Sequence, residues 1–256
     1  MEKSQIKKLT LDLIKTFEIA GNLSIELRKK GLNERIKTDN TPVTNGDIEV
    51  NDILCKKISE LTPKVPIVSE ESKDNKNNDG LKNFWLIDPI DGTRDYISNK
   101  DEFTLNAALI LNKKPALGII NAPAKKRLFF SYGLGDSYEV SNGKTIKLID
   151  IEKKNRHLTA VHYSDKLTPE ILEIYKKFNI TKHQKMKSSL KFCVVAANEF
   201  DLYVAEPRAC EWDIAAGHAI LEHAGGKLTD FYGNQIEYGK KDFRNPSLIL
   251  KSKNIL

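Results

Sequence analysis

Cysteine is scarce in this chain of 256 residues: Cys55, Cys193 and Cys210 stand far apart, with no C-x-x-C pair among them. So odd and scattered a set excludes a disulfide framework and a zinc site, and leaves the expectation of small buried hydrophobes. Long apolar runs are missing too, and nothing approaches the roughly 20 residues of a membrane span. The opening stretch MEKSQIKKLTLDLIKTFEIAGN is broken by charges every few positions, so it lacks a secretory apolar core. The expected address is the cytoplasm. Also absent is any basic block. The net charge of +6 is spread through KK and KxK pairs, without an aromatic-interleaved stripe. That speaks against a nucleic-acid polymer as partner, whereas diffuse positive charge helps attract a small anion. No linker-like stretch and no internal repeat divides the chain. A homodimer is compatible with everything above.

What is present reads as a folded protein, with 40% hydrophobic and 30% charged residues. Apolar steps of three and four from Ile6 to Leu27 predict an amphipathic helix over 5–29, ended near Gly31. A second helix is expected from about Asp47 to Leu61, with Asp47 placed where an N-cap would sit. Short apolar strands are expected at 65–68 and 84–87, separated by the polar stretch 72–80, which reads as a mobile surface loop. Segments 103–111, 116–121, 127–132 and 136–149 alternate like antiparallel strands, turning at Asn112-Lys113 and Asn142-Gly143. The texture changes near residue 150. A strand at 157–163, helices at 168–178 and 188–198, a strand at 201–205 and a helix from Trp212-Asp213 to Gly225-Gly226 complete the reading. It is one unit, 1–256, with two lobes: about 1–150 and about 151–256.

The chemistry concentrates in acids at the ends of these elements. Asp88-Pro89-Ile90-Asp91-Gly92-Thr93 ends a buried strand with two carboxylates three residues apart. Burying both is costly unless a positive charge neutralises them. Pro89 stiffens the turn, Gly92 permits a sharp bend, and the N–H groups of Gly92 and Thr93 could cradle a phosphate oxygen. Glu70-Glu71 follows another short strand, and Asp213 opens a helix behind Trp212. Taken singly, each has a plain alternative: a turn with a helix cap, a solvated pair, an N-cap. Four such acidic segments together read as one metal cluster, and an oxygen-only set selects Mg²⁺ or Mn²⁺ over zinc.

The chain resembles the inositol monophosphatase superfamily, whose pattern runs Asp, Glu-Glu, D-P-[IL]-D-G-[ST], W-D-x-A-A-G. Here these are Asp47 in TPVTNGD, Glu70-Glu71 in VSEES, DPIDGT at 88–93 and WDIAAG at 212–217. SSLKFCVVAANEFDLY (188–203), EWDIAAGHAILEHAGG (211–226), Arg94-Asp95-Tyr96-Ile97 and YGKKDFRNPSLIL (238–250) look like its CysQ-type 3′(2′),5′-bisphosphate nucleotidase branch. Departures cluster around substrate contacts. Val161-His162-Tyr163-Ser164 stands for S-R-S-H, Tyr203-Val204-Ala205 for Y-P-R, Lys187 for a glycine and Gly46 for an alanine.

The resemblance implies an α+β fold layered α-β-α-β-α and a magnesium-dependent phosphomonoesterase acting on a small phosphorylated metabolite. The first substrate it implies is 3′-phosphoadenosine 5′-phosphate, hydrolysed to AMP and phosphate by in-line attack of a water held on the metal. An inositol monophosphatase or a broad sugar-phosphate phosphatase is the alternative. Glu70, Asp88 and the carbonyl of Ile90 would hold one Mg²⁺; Asp88, Asp91 and Asp213 a second; a third would sit by Glu70, with Mn²⁺ as a substitute. Asp47, Glu70 and Thr93 would be catalytic, moving the proton of the attacking water. Asp91, Gly92, Thr93, Ser188, Lys191, Arg208 and Asp213 would meet the substrate. Ser188 and Lys191 are one helical turn apart, and Lys191 reads equally as a surface lysine. The histidines lack metal-ligand spacing, and His218 and His223 are expected to be partly exposed.

Overall fold

The computed structural model describes residues 1–72, 80–153 and 157–256, so most of the expected loop at 72–80 lies outside the described residues. The N-terminal periodicity builds α1 (Lys3–Lys30), which buries Leu9, Leu13, Phe17 and Ala20 along one face. A hairpin follows, β1 (Glu34–Ile36) against β2 (Pro42–Thr44), whose three-residue strands are too short for alternation to reveal. Helix α2 (Asn45–Leu61) is capped by Thr44, not by Asp47 as expected. Asp47 is instead the third helical residue and bonds back to Thr44, the reciprocal half of a capping box.

A seven-stranded sheet forms the first β layer. Its strands are β3 (Ile67–Ser69), β4 (Phe84–Asp91), β5 (Thr104–Leu111), β6 (Lys114–Ala122), β7 (Arg127–Ser131), β8 (Ser137–Ser141) and β9 (Lys144–Lys147), in that spatial order. Only β3 and β4 run parallel; the remaining pairs are antiparallel. The segment 136–149 is two strands, folded back at the expected turn Asn142-Gly143 with both residues at positive φ. Between β4 and β5 lies a short helix, α3 (Thr93–Ile97).

The second sheet comprises β10 (Thr159–His162), β11 (Lys182–Lys185), β12 (Leu202–Ala205), β13 (Lys227–Thr229) and β14 (Leu248–Lys251), ordered β11-β10-β12-β14-β13. Three helices join its strands: α4 (Pro169–Lys177), α5 (Leu190–Ala196) and α6 (Glu211–His223).

Period-2 alternation assembles the layers. Along β4, Trp85 and Ile87 join the core under α1 and α2, while Phe84 and Leu86 face the core shared with α5 and α6. Along β12, Tyr203 and Ala205 face that same middle core, and Leu202 and Val204 pack with Ile171 and Tyr175 of α4. The result is five layers: α1 and α2, the large sheet, α5 and α6, the small sheet, then α4. The expected α-β-α-β-α arrangement is what the chain adopts.

Helix α6 lies between two sheets, and its small residues are packing devices. A Cβ on Gly217 would meet Phe192 at 2.4 Å, and one on Gly118 of β6 would meet the Ala216 carbonyl at 2.3 Å. Ala215-Ala216-Gly217 therefore lets the helix approach β6 and α5, while Trp212, Asp213 and Ile214 before it line the site described next.

Candidate active site

A local irregularity in β4 creates the acidic centre. Side chains three apart on a regular strand point to opposite faces. Here Asp88 pairs with Asn106 and Asp91 with Thr104, so the register slips by one residue between them. That bulge reverses the parity and lets both carboxylates serve one side. The strand thus runs on through DPID, beyond the Ile87 limit expected from its apolar residues.

Glu70 arrives from the parallel neighbour: its N–H donates to the Ile87 carbonyl at 3.0 Å, directly beyond the end of β3. Asp213 arrives from the start of α6. It is the third helical residue, with Cys210 at the cap, so the plain alternative of an N-cap does not describe it. One of its oxygens accepts the Cys210 N–H at 2.7 Å, and the helix start aims the carboxylate at Asp88 and Glu70. Glu70, Asp88 and Asp213 offer oxygens that all lie within 4.8 Å of one another. Asp91 lines the same cavity.

Burial makes this cluster electrostatically costly. Desolvation pushes the Asp88 carboxyl well above its usual range, and the charges of Glu70, Asp91 and Asp213 push it further. Asp213 is raised by burial and then by Asp91 and Glu70. Burial also raises Asp91, to about 6, although Lys191 and the Ser189 N–H oppose the shift. Oδ1 of Asp88 is buried without a hydrogen-bond partner. Oxygen-only donors, mutual repulsion and an unpartnered buried carboxylate oxygen fit a hard divalent cation.

Behind this cluster is a second pair. Thr93 Oγ1 lies 3.1 Å from Asp47 Oδ1 and 3.1 Å from the Ile90 carbonyl oxygen. The other oxygen of Asp47 accepts Thr44 N–H at 2.7 Å and its hydroxyl at 2.6 Å. Asp47 therefore both completes the capping box of α2 and holds Thr93. Gly92, at φ 93°, turns the chain from β4 into α3 in a conformation that suits glycine, and a Cβ there would approach the Glu102 carbonyl at 3.1 Å.

The cavity beside the cluster has a volume of about 550 Å³ and is lined by Glu70, Asp88, Asp91, Thr93 and Asp213 on its acidic side. Lys187, Ser188, Arg208 and Arg244 line it elsewhere. A recess of about 60 Å³ continues between Asp91, Lys191, Tyr203 and Arg208. Ser188 and Lys191 both reach this recess, but not as one helical face. Ser188 has φ 52° and precedes α5, which begins at Leu190. Lys191 is not a surface lysine: it is 5% exposed, donates to the Ser188 carbonyl, and is pushed down to about 8, mainly by burial.

Several cavity residues carried no signal of their own in the sequence. Lys37, in the β1–β2 turn, pairs with Glu70 at 3.2 Å and Glu71 at 2.9 Å. Tyr163 carries Arg208 at 3.5 Å and Lys187 at 3.8 Å from its ring centroid. Their departures from the branch pattern, Tyr163 in V-H-Y-S and Lys187 for glycine, were the only hints available. Glu211, beside Trp212-Asp213, is a structural anchor. It is fully buried, pairs with Lys240 at 2.8 Å, accepts the N–H groups of Gly239 and Lys240, and so fixes the segment that brings Asp242 and Arg244 to the cavity.

Gly46 also acquires a reason. A Cβ there would meet the Tyr96 hydroxyl at 2.6 Å, and that hydroxyl donates to the Ser24 carbonyl at 2.6 Å. The expected partial exposure of His218 is wrong: it is 2% exposed and bonds Tyr238 at 2.9 Å, because α6 is covered on both sides. Of the cysteines only Cys193 is fully buried. Cys210 lines the cavity, but burial and then Asp213 push its thiol up to about 12, so it stays protonated.

Residues 6–255 match the Inositol monophosphatase family. The 3′(2′),5′-bisphosphate nucleotidase CysQ of Salmonella typhimurium is 34% identical over 215 residues, covering 82% of this chain and 85% of that protein. The crystal structure of CysQ from Bacteroides thetaiotaomicron superposes with a TM-score of 0.77 at 29% identity, covering 96% of this chain and 97% of that one. An IMPase/NADP phosphatase complexed with Mg²⁺ and phosphate shares the fold, with a TM-score of 0.76 at 19% identity over 98% of this chain and 92% of that one. With its layered fold and its acids gathered at one cavity, the chain belongs to the inositol monophosphatase family and is a phosphatase of that superfamily.

Proposed function

We propose that this phosphatase is a magnesium-dependent 3′(2′),5′-bisphosphate nucleotidase converting 3′-phosphoadenosine 5′-phosphate to AMP and phosphate. The observation that carries the reading is one cavity with two opposite chemistries. Glu70, Asp88 and Asp213 meet within 4.8 Å, while Lys187, Lys191 and Arg208 converge nearby on Tyr163. A substrate with one phosphate engages the acidic side alone, whereas a second phosphate uses both. The nucleotidase names of the relatives support the same reading.

Glu70, Asp88 and the Ile90 carbonyl would hold one Mg²⁺, and Asp88, Asp91 and Asp213 a second, with a third by Glu70. When bound, such ions lower the pKa of water in the site and offset charge on the attacking and leaving oxygens of an in-line displacement. The chain's own residues then move protons and position phosphate. Thr93 Oγ1 takes a proton from the attacking water and relays it to Asp47, which burial holds above the usual carboxylate range and so makes a better base. Gly92 and Thr93 meet the scissile phosphate at the start of α3. Ser188, Lys191 and Arg208 receive the sugar and the second phosphate. The phosphorus–oxygen bond to the ribose breaks, and the departing alkoxide is protonated by solvent. Both lobes serve this one site: residues before about 150 supply most of the acids, and residues after it supply Asp213 and the cations.

Phosphate release from 3′-phosphoadenosine 5′-phosphate, inositol 1-phosphate and fructose 1,6-bisphosphate, with and without Mg²⁺, tests the reading. The nucleotide is expected to lead the others in kcat/KM by about ten-fold or more, and only with metal, a margin of about 1.4 kcal/mol. Preference for inositol 1-phosphate would move the assignment to that substrate, and no release from any of the three would end it.

A further inference from the structure

We infer that Tyr163 is a specificity-determining residue: its ring gathers Lys187 and Arg208 into one cationic wall that selects substrates bearing a second phosphate. This rests on the nucleotidase reading, and deepens it.

The guanidinium carbon of Arg208 lies 3.5 Å from the centroid of the Tyr163 ring, and Nζ of Lys187 lies 3.8 Å from it. Nζ of Lys191 is 5.5 Å from the same centroid and 5.4 Å from that of Tyr203. Among the described residues none of these three cations pairs with a carboxylate within 4.0 Å. Three like charges so gathered repel one another, and the negative face of an aromatic ring offsets that repulsion only in part. Asp91 and Asp213 offset part of the charge on Lys191 and Arg208, and an anion entering the cavity that Tyr163, Lys187 and Arg208 line together would offset more of it.

Tyr163 acts through these neighbours. Its backbone carbonyl also accepts a hydrogen bond from Lys187 Nζ at 3.3 Å, and the Lys187 N–H is tied to Glu102 at 2.9 Å. Lys187 is therefore held at both ends, whereas Arg208 is exposed and has the ring as its platform. No hydrogen bond to the Tyr163 hydroxyl is present among the described residues, so the ring and not the hydroxyl does the positioning. A serine at this position, as in the branch pattern S-R-S-H, would leave Lys187 and Arg208 without that platform. Tyr163 and Lys187 meet twice in space, ring to ammonium and carbonyl to ammonium, which ties the lysine to the ring.

The test compares kcat/KM for 3′-phosphoadenosine 5′-phosphate with that for adenosine 3′-phosphate, in wild type, Y163A, Y163F and K187M. The bisphosphate-to-monophosphate ratio should fall about ten-fold in Y163A, through KM, the factor expected from one weakened charge-assisted contact. K187M should lower it similarly, and Y163F should restore it to within about two-fold, because the ring remains. Equilibrium binding of AMP against adenosine should lose the same factor in Y163A, a readout that a folding defect would not produce. If Y163A keeps the wild-type ratio, or Y163F fails to restore it, the inference is overturned. A wild type that gains nothing from the 5′-phosphate would sink the substrate assignment and this inference with it. A wild type that gains, while Y163A gains as much, sinks this inference alone.

Discussion

The acidic and cationic sides of the cavity are built differently. The acids sit at the ends of regular elements: Glu70 after β3, Asp88 and Asp91 in the bulged end of β4, Asp47 and Asp213 in the first turns of α2 and α6. Backbone hydrogen bonds fix them, so their placement varies little with side-chain choice nearby. Of the cations, Lys187 and Arg208 sit on loop segments before α5 and after β12 and Lys191 in the first turn of α5, held by backbone carbonyls and by an aromatic ring. On the proposed reading, rigid elements carry the groups that do the chemistry, and mostly loops carry the groups that choose the substrate.

If that contrast holds, the largest effect belongs to the acidic side. D88N should lower kcat by roughly three orders of magnitude or more, since every bond-breaking contribution assigned here uses that cluster. The same variant should melt at a higher temperature than wild type without divalent cation, because it removes a buried charge among like charges. Both are read from phosphate release and thermal unfolding, and a D88N enzyme within ten-fold of wild type would break the comparison at its root.

On the cationic side, R208Q should raise KM for the bisphosphate about ten-fold with kcat within about three-fold of wild type, the mark of lost ground-state binding. A fall in kcat as large as that of D88N would show that the two sides do not divide the work.

Metal removal gives a smaller effect with a definite sign. In the metal-free chain burial raises Asp91 from 3.8 to about 6 and Glu71 from 4.5 to about 7. Between these limits the folded chain binds more protons than the unfolded one, so stability falls as pH rises, and the contribution of these two groups is largely lost by about pH 7. Thermal melting should therefore show the metal-free protein less stable at pH 8 than at pH 5.5. Mg²⁺ should restore most of the difference by offsetting the ionised acids. A melting temperature that rises with pH in EDTA would contradict the buried acidic cluster.

The smallest effect lies behind Asp47. G46A should destabilise the fold by about 1–3 kcal/mol, because its methyl overlaps Tyr96 in a packed core. Y96F in the same chain should recover part of that loss in chemical denaturation. It relieves the contact with the hydroxyl at 2.6 Å but not that with the ring edge at 2.8 Å.

Much of this was legible in the residues. The long strands β4 to β7 announced themselves by apolar content, and α1 by its spacing, because each is long enough to show its period. The motif acids were legible for a related reason: buried carboxylates beside a strand end need a cation, whatever surrounds them. The strands β1, β2, β11, β13 and β14, of three or four residues each, were not legible. Strands as short as β3, β10 and β12 showed through their apolar residues, but β1 and β11 are exposed throughout. For such strands pairing with neighbours, and not internal pattern, makes a strand.

By itself, then, the sequence determined the longer helices and strands and the acidic residues worth watching, since local spacing and the chemistry of burial act through near neighbours in the chain. Its motifs, through their resemblance to a known superfamily, implied the layered fold. Only the tertiary structure decided that a one-residue slip in β4 turns Asp88 and Asp91 to the same side. The same holds for Gly46 making room for Tyr96, and for Tyr163, Lys187 and Arg208 forming one wall. Those facts depend on distances between residues remote in the chain, and packing alone sets such distances.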